Sequence, residues 1–388
     1  MQENPSVSVP DPKVALTLEQ LSACQHLASR NITFSMTLAC PLKCRHCIVD
    51  AGPEKKATTM PLEIAQRYAA EMPALAQAGI LGISFTGGEP LLACQQVMVM
   101  SEAAVAVGIE TSVVTAAHWS SSQILAEETV QRFDSIDCWD LSFDLYHLEW
   151  VSLENIKYAH KAISTAGKKL NLRFSYNDPP SDEELQILSE LRTLDGAQCV
   201  AQRVRAVGRA KELNIISSER YNPLMKPCLT QGLVVRYDGT VAPCCLNLVE
   251  SRTHPFQFGD THTQSLVAIH SAFMRNPLLQ LIRSVGFGQL RDWLVEGGLV
   301  SRLPEPMPDE VCELCEVILQ DKEIATYLVH KAEDPENQLK IAVLASRLLG
   351  EDTMLKSLMD RGPLDSGAEV DRSIAATLLE RPHASTSS

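Results

Sequence analysis

Three cysteines close together near the N-terminus could bind a metal. Cys40, Cys44 and Cys47 have the spacing C-x3-C-x2-C and directly follow the first predicted strand. Three thiolates on one short loop suit a 4Fe–4S cluster whose fourth iron has no protein ligand. Zinc is the alternative, but a structural zinc site takes four ligands, and His46 lies between two cysteines where it is badly placed to join them. We therefore expect an iron–sulfur cluster on this loop.

A second set of cysteines lies in the C-terminal half of the chain. Cys228 and Cys244 are followed, after a long interval, by the C-x2-C pair Cys312 and Cys315. Four thiolates can satisfy all four irons of a cluster, and zinc held by four cysteines is the rival interpretation. Cys245 follows Cys244 directly, so it could replace Cys244 as a ligand or remain a free thiol.

The composition excludes several classes of protein. The formal net charge of −14 argues against wrapping of nucleic acid and against binding to anionic lipid. The longest uncharged stretch contains proline and four glycines, so it is not a membrane span. Because the N-terminus has no secretory pattern, we expect a cytoplasmic protein whose twelve cysteines serve metal binding better than disulfides.

Alternating strand and helix patterns must position the first cysteine group. Apolar, β-branched runs predict six strands, at 32–38, 81–86, 111–115, 136–143, 170–176 and 197–204. Helical patterns lie between them, one capped by Ser152 and another opening with the capping box of Ser181 and Glu184. Repeated strand–helix units imply a parallel sheet, and six units are fewer than the eight of a closed barrel. The sequence thus predicts an α/β fold, a partial (β/α)6 TIM-like barrel with its chemistry at the C-terminal ends of the strands.

The pattern changes after the barrel. An Asp-Gly turn between 233–237 and 240–242 predicts a β-hairpin, and helical patterns follow at 263–300 and 317–361. We predict four regions from these changes: an N-terminal lead-in at 1–31, the barrel at 32–215, a small α+β domain at 222–320, and a helical C-terminal extension at 321–388 with a disordered tail.

Two motifs on consecutive strand–helix units resemble the radical S-adenosylmethionine (SAM) superfamily. The first is the C-x3-C-x2-C loop after strand one, and the second is Gly87-Gly88-Glu89-Pro90 at the end of strand two. The resemblance covers about residues 32–210. It implies that the first cluster binds SAM and that Gly87, Gly88 and Glu89 contact the amino group of its methionine. Glycines allow close backbone approach, and a carboxylate pairs well with an ammonium.

Further positions resemble SAM contacts of the family. Ser142 and Asp144 close strand four, where members place polar groups that hold the ribose or carboxylate of SAM. Arg173 in strand five could pair with that carboxylate, or be a strand charge facing solvent. Gly208-Arg209-Ala210 resembles a run found in peptide- and small-molecule-modifying members. Strand three ends with Thr115-Ala116-Ala117 where many relatives have Thr-Asn-Gly, which puts a role for Thr115 in doubt.

The second cysteine group resembles the opening of the SPASM domain, which carries auxiliary iron–sulfur clusters. No cysteine follows Cys315, and this resembles the shorter twitch version with one auxiliary cluster. The resemblance implies an auxiliary 4Fe–4S cluster on four cysteines, Cys228, Cys244, Cys312 and Cys315. A Gly-x4-Cys spacing favours Cys244 over Cys245 as the ligand.

Two side chains are candidate catalytic groups. His147, three residues after Asp144, could contact substrate or act as a base, or be a loop histidine bonded to backbone. Cys245, if free, could return a hydrogen atom to a substrate radical, or be inert packing. Trp119, Tyr146 and Trp150 could line a substrate pocket or pack in the core.

The resemblance implies reductive cleavage of SAM to a 5′-deoxyadenosyl radical, which abstracts hydrogen from an unactivated C–H bond. We expect a small secondary metabolite as substrate, such as a sugar or cyclitol, and oxidation or epimerisation as the outcome. Twitch relatives include an aminocyclitol dehydrogenase. The alternatives are a maturase of a ribosomally made peptide and a non-catalytic iron–sulfur electron carrier, against which the intact GGEP argues. The expected partners are the substrate and a flavodoxin- or ferredoxin-type electron donor, without nucleic acid or membrane.

Overall fold

Strands and helices alternate through the first half of the chain. The computed structural model describes residues 18–213, 215, 224, 226–229, 232–244, 254–256, 258–308 and 310–360. The strands are β1 (Asn31–Thr37), β2 (Gly82–Gly87), β3 (Glu110–Thr115), β4 (Cys138–Ser142), β5 (Lys169–Tyr176), β6 (Gln198–Arg203), β7 (Leu233–Arg236) and β8 (Val241–Ala242). The helices are α1 (Leu18–Ser29), α2 (Leu62–Gln77), α3 (Cys94–Val105), α4 (Gln123–Arg132), α5 (Leu145–Leu148), α6 (Leu153–Thr165), α7 (Asp182–Leu191), α8 (Leu266–Arg275), α9 (Pro277–Val285), α10 (Gly288–Glu296), α11 (Val311–Gln320), α12 (Lys322–Glu333), α13 (Pro335–Leu349) and α14 (Thr353–Asp360).

The sheet has the strand order β6-β5-β4-β3-β2-β1-β7-β8. Strands β1 to β6 pair in parallel with their sequence neighbours, and a helix follows each of β1 to β5. This confirms the predicted α/β class with its partial (β/α)6 barrel. The Ser152 cap of α6 and the Ser181–Glu184 capping box of α7 are also confirmed. None of the helices in the described ranges is long and apolar enough to cross a membrane.

Strand β4 is shorter than the pattern predicts, since Ile136 and Asp137 precede it. The Asp137 carboxylate accepts a hydrogen bond from the Thr111 N–H at 3.0 Å, and the Asp137 N–H donates to the Thr111 carbonyl at 3.2 Å. These bonds hold Asp137 in the loop beside the start of β3. The apolar run in the sequence does not by itself show where this loop ends and β4 begins.

The two faces of the sheet differ in polarity. Phe34 and Phe85 are fully buried on one face, where the Phe34 ring centroid lies 5.6 Å from that of Tyr68 on α2. The strand registers place mostly polar residues on the other face, among them Thr33, Ser35, Ser84, Thr86, Ser112, Asp140, Ser142, Asn171 and Arg173. Because helices cover the outside of a (β/α) barrel, this polar row faces its interior.

Contacts divide the chain into two units, and the second combines residues 16–30, 221–233 and 241–388. Within it α13 packs against both α1 and α9. The predicted domain boundaries remain predictions, and the segments 1–17 and 361–388 lie outside the described residues.

A fully buried arginine joins α9 to α1 in the second unit. Arg283 donates to the Gln25 side chain at 3.1 Å, to the Gln25 carbonyl at 3.0 Å and to Gln280 at 3.0 Å. Glu351, which follows α13, is also buried, and burial raises its pKa to about 7 despite the nearby Arg283 charge.

Replacing Glu351 with Gln is expected to stabilise the protein above neutral pH. The folded-state pKa lies above the unfolded value, so the folded chain holds the extra proton between these values and loses stability as pH rises through them. Each pKa unit corresponds to about 1.4 kcal/mol. The free energy of unfolding of the variant, relative to that of wild type, should therefore increase by roughly 3 kcal/mol from pH 4 to pH 8. Urea unfolding at both pH values measures it. Exposed Glu333→Gln is the control, and an equal change in both variants would refute the assignment.

Candidate metal centres and cofactor site

The first three cysteines lie on the loop that follows β1. Cys40 and Cys44 are buried, and Cys47 is partly exposed beside them. Burial raises the pKa of Cys40 to about 12, and burial with the negative charge of Asp144 raises the pKa of Cys44 above its usual range. A metal that binds here must therefore displace thiol protons.

The spacing of the thiols bears on which metal fits. A tetrahedral zinc ion with sulfur ligands at about 2.3 Å needs those sulfurs roughly 3.8 Å apart. Among the residues that the structure describes, the one trio of metal-ligand side chains whose ligand atoms all lie within 4.8 Å is His46, Asp144 and His147. The donor sets of the two cysteine groups, three thiols and four thiols, suit iron–sulfur clusters by their chemistry.

The glycine-rich motif lies against the start of the cysteine loop. The Gly88 N–H donates to the Thr37 carbonyl at 2.6 Å, and the Glu89 N–H donates to the Ala39 carbonyl at 2.8 Å. A Cβ atom at Gly88 would lie 2.3 Å from the Ala39 oxygen, and one at Gly87 would lie 2.2 Å from the Thr37 oxygen. Both positions therefore require glycine, and the fold brings the two sequence motifs together at the ends of β1 and β2.

The end of β3 holds the buried Glu89 carboxylate. The Thr115 hydroxyl lies 3.0 and 2.9 Å from the two Glu89 oxygens, and Trp119 Nε1 donates to that hydroxyl at 3.0 Å. His118 Nδ1 lies 3.4 Å from Glu89 Oε2. Ala117 adopts a φ of 54°, the left-handed region that favours the glycine many relatives have there. Thr115 thus bonds to Glu89, although the departure of residues 115–117 from the family pattern had put a role for Thr115 in doubt.

Replacing Thr115 with Val is expected to weaken SAM binding about ten- to a hundredfold, because hydrogen bonds to charged groups contribute roughly 1.5–3 kcal/mol. Valine keeps the shape of threonine but cannot orient the Glu89 carboxylate. Anaerobic titration calorimetry of the reconstituted protein with SAM gives the dissociation constant. Thr115→Ser, which keeps the hydroxyl, is the control and should bind nearly as wild type. Unchanged affinity in Thr115→Val would show that this hydrogen bond does not serve the site.

Asp144 links two histidines after β4. Its Oδ1 accepts from the N–H groups of Tyr146 at 3.0 Å and His147 at 3.1 Å and lies 2.9 Å from His147 Nδ1, while its Oδ2 lies 3.1 Å from His46 Nε2. Burial acts to raise the Asp144 pKa, but His147 and His46 outweigh it and the pKa falls. The ionised carboxylate therefore orients both rings. Contacts of Ser142 and Asp144 with SAM stay predictions.

Arg173 has a partner on the polar face of the sheet. Its Nε lies 3.1 Å from Asp140 Oδ1, and its side chain is 31% exposed. The neighbouring Asn171 also donates to Asp140, at 3.1 Å. Pairing with the carboxylate of SAM stays a prediction for Arg173. Sequence reasoning missed Asp140, although the alternation of polar residues along β4 and β5 was the available signal.

The three aromatic residues near the strand ends pack in different ways. Tyr146 is buried and stacks on His46, with ring centroids 4.6 Å apart. Trp119 packs edge-on against the fully buried Trp139 at 5.4 Å. Trp150 is half exposed. Core packing accounts for Trp119, and His46 is a neighbour of Tyr146 that the sequence reasoning missed.

The second cysteine group is assembled by α11 and two loops. This helix begins at Val311, earlier than the predicted 317, because Val311, Leu314 and Ile318 already form its apolar face. Cys312 and Cys315 therefore lie one turn apart on the helix. Burial raises the Cys315 pKa well above its usual value, with added contributions from the negative charges of three cysteines, Cys228, Cys244 and Cys312.

Cys228 is held from two sides within the same unit. Its N–H donates to the Ile282 carbonyl at 3.0 Å, and its carbonyl accepts from Gln25 Nε2 at 2.7 Å. Cys245, the predicted candidate donor, lies outside the described residues.

Comparison with known proteins supports iron–sulfur binding in both halves of the chain. The profile of a 4Fe–4S single cluster domain matches residues 30–145, and that of SPASM, an iron–sulfur cluster-binding domain, matches residues 227–316. No curated protein sequence matches the chain significantly.

Three solved structures are similar over most of their length. Native anSMEcpe with bound AdoMet is 14% identical, with a TM-score of 0.47, covering 78% of this chain and 98% of its own. BtrN in complex with AdoMet and 2-DOIA is 14% identical, with a TM-score of 0.41, covering 76% of this chain and 95% of its own. The FeFe-hydrogenase maturase HydG from Carboxydothermus hydrogenoformans is 13% identical, with a TM-score of 0.36, covering 94% of this chain and 86% of its own.

Proposed function

We propose that the chain is a radical SAM enzyme with a SPASM-type iron–sulfur domain after its barrel, and that it oxidises or epimerises a small polar metabolite, such as a sugar or cyclitol. Cys40, Cys44 and Cys47 hold the first cluster in this proposal. Cys228, Cys244, Cys312 and Cys315 hold the auxiliary cluster. A flavodoxin- or ferredoxin-type protein supplies electrons.

The bound cluster and SAM together supply a 5′-deoxyadenosyl radical that abstracts hydrogen from an unactivated C–H bond. The chain itself must bind SAM, orient the substrate and exclude competing hydrogens. Gly87 and Gly88 let this motif pack against the start of the cysteine loop, and in this proposal Glu89, held by Thr115, accepts from the amino group of SAM. In this proposal Ser142, its register neighbour Arg173 and Asp144 contact the rest of SAM or the substrate.

The polar face of the sheet carries the substrate assignment. Hydroxyl, amide and ionic side chains of β1 to β5 line that face, and hydroxylated ligands form hydrogen bonds with such groups. Several of these groups already bond one another, as Arg173 and Asn171 do with Asp140, and their remaining donors and acceptors suit a hydroxylated substrate better than an apolar one. A sugar or cyclitol satisfies them with its own hydroxyls.

His147 is the proposed base when the outcome is oxidation. With Nδ1 turned to Asp144, its Nε2 is left to accept the hydroxyl proton that must leave as a carbinol carbon becomes a carbonyl. The auxiliary cluster would supply a one-electron acceptor. In the epimerisation outcome Cys245 instead donates its S–H hydrogen atom to the opposite face of the carbon, and an electron from the proposed donor protein together with a proton restores the thiol from the resulting thiyl radical.

The test is anaerobic incubation of reconstituted protein with SAM, a reductant and a panel of cyclitols and aminosugars. Active compounds should raise 5′-deoxyadenosine formation, and deuterium on the reacting carbon should appear in that product. A product lighter by two hydrogens indicates oxidation. An isomer that carries one deuterium from D2O, and is lost in Cys245→Ala, indicates epimerisation. Turnover of peptides but of no polyol would overturn the metabolite assignment in favour of a peptide maturase.

A further inference from the structure

The loop that carries the first three cysteines closes on itself. The Cys40 N–H donates to the Gly52 carbonyl at 3.1 Å, and the Gly52 N–H returns to the Leu38 carbonyl at 3.1 Å. Residues 40–52 therefore form a ring whose two ends are hydrogen-bonded to each other. The carbonyls inside this ring do not belong to a strand or a helix. They therefore need hydrogen-bond donors from elsewhere in the chain.

Arg209 supplies donors to the inside of this ring. Its Nη1 donates to the Cys44 carbonyl at 2.7 Å, its Nη2 donates to the Ala51 carbonyl, and its Nε donates to Asp50 Oδ1 at 3.0 Å. The Arg209 backbone N–H donates to the Cys47 carbonyl at 2.9 Å. One residue thus contacts both the second and the third cysteine of the motif.

The residues on either side of Arg209 fit the same loop. Gly208 has a φ of 59°, and a Cβ atom there would lie 2.6 Å from the Cys47 oxygen and 2.5 Å from the Ile48 oxygen. Ala210 is fully buried in the apolar cluster that contains Cys40 and Cys44. Each of the three residues therefore has a separate contact with the cysteine loop.

An ordinary ion pair with Asp50 does not explain this arrangement. The Arg209 side chain is 10% exposed whereas that of Asp50 is 47% exposed, and Asp50 also lies 3.4 Å from Lys55. A pair so open to water contributes little, while bonds from a buried guanidinium to carbonyls fix the positions of those carbonyls. The planar fork of arginine can bond several acceptors at once, and lysine cannot.

We propose that Gly208-Arg209-Ala210 is a clasp in which Arg209 acts as a positioning residue, holding Cys44 and Cys47 at the spacing that the first cluster requires. This inference rests on the proposed ligand role of the three cysteines. The loop is then preorganised before the cluster is inserted, so assembly does not have to order it.

The first test uses the protein without iron, where activity plays no part. Arg209→Met should speed amide hydrogen exchange in peptides covering residues 40–52 at least tenfold, while peptides of α2 and α3 keep wild-type rates. Lys211→Met, which removes an exposed cation two residues away, is the matched control and should leave exchange unchanged. Equal exchange in Arg209→Met and wild type would overturn the clasp, as would the same acceleration in Lys211→Met.

The second test reads the cluster itself. The reduced first cluster of Arg209→Met should give an altered electron paramagnetic resonance spectrum and lose iron to a chelator several-fold faster than wild type. Arg209→Lys keeps the charge but not the fork, so it should resemble Arg209→Met, and it replaces that variant if methionine prevents folding. A wild-type spectrum and iron loss in Arg209→Lys would overturn the positioning role. An iron content that stays near eight per chain when Cys40, Cys44 and Cys47 are all replaced by Ala would instead refute their ligand role.

Discussion

Replacing Cys40, Cys44 and Cys47 together with Ala is expected to abolish SAM cleavage. The three thiols are the only protein ligands proposed for the first cluster, and without it no electron reaches SAM. Anaerobic incubation with dithionite, followed by chromatography of 5′-deoxyadenosine, should show no product above the protein-free background. Iron should fall from about eight to about four per chain, since the second cluster keeps its own ligands.

The control for this variant removes the same number of cysteines elsewhere. Cys24, Cys94 and Cys199 lie outside both groups, so their joint replacement by Ala should leave the iron content and SAM cleavage intact. Cleavage of SAM that survives in the Cys40, Cys44 and Cys47 variant would contradict the proposed radical chemistry of this chain.

Replacing Cys312 and Cys315 with Ala is expected to separate SAM cleavage from substrate conversion. Both cysteines lie on α11, in a different unit of the chain from the SAM motifs. The variant should keep about four irons and still form 5′-deoxyadenosine, but give no oxidised or inverted product. Metal analysis and mass spectrometry of the substrate check both halves of this prediction.

Two results would contradict it. Full product formation by the variant would make the auxiliary centre dispensable for turnover. Wild-type protein with about four irons and one zinc would show that the second group is a zinc site. Glu313→Gln, on the same turn of α11 but exposed, is the control for general disturbance of the helix.

The spacing of the cysteines and the order of strands and helices are local properties, and the sequence predicts them well. C-x3-C-x2-C and the Gly87-Gly88-Glu89 motif predict a radical SAM site because cofactor chemistry demands those residue types within a few positions. Helix caps such as Ser181 with Glu184 are likewise decided by hydrogen bonds within one turn. The alternation of polar and apolar side chains along β1 to β5 is also a local property, since successive residues of a strand point to opposite faces of the sheet.

The contacts that hold the site in place depend on residues distant in the chain. Thr115 reaches Glu89 across 26 positions, and Arg209 reaches Cys44 across 165, so no local pattern marks either pair. The sequence by itself determined the cofactors, the fold class and most of the ligand candidates. Only the tertiary structure decided that Asp144 orients two histidines and that Arg209 holds the cysteine loop, since parallel strands bring their C-terminal ends together whatever their separation in sequence.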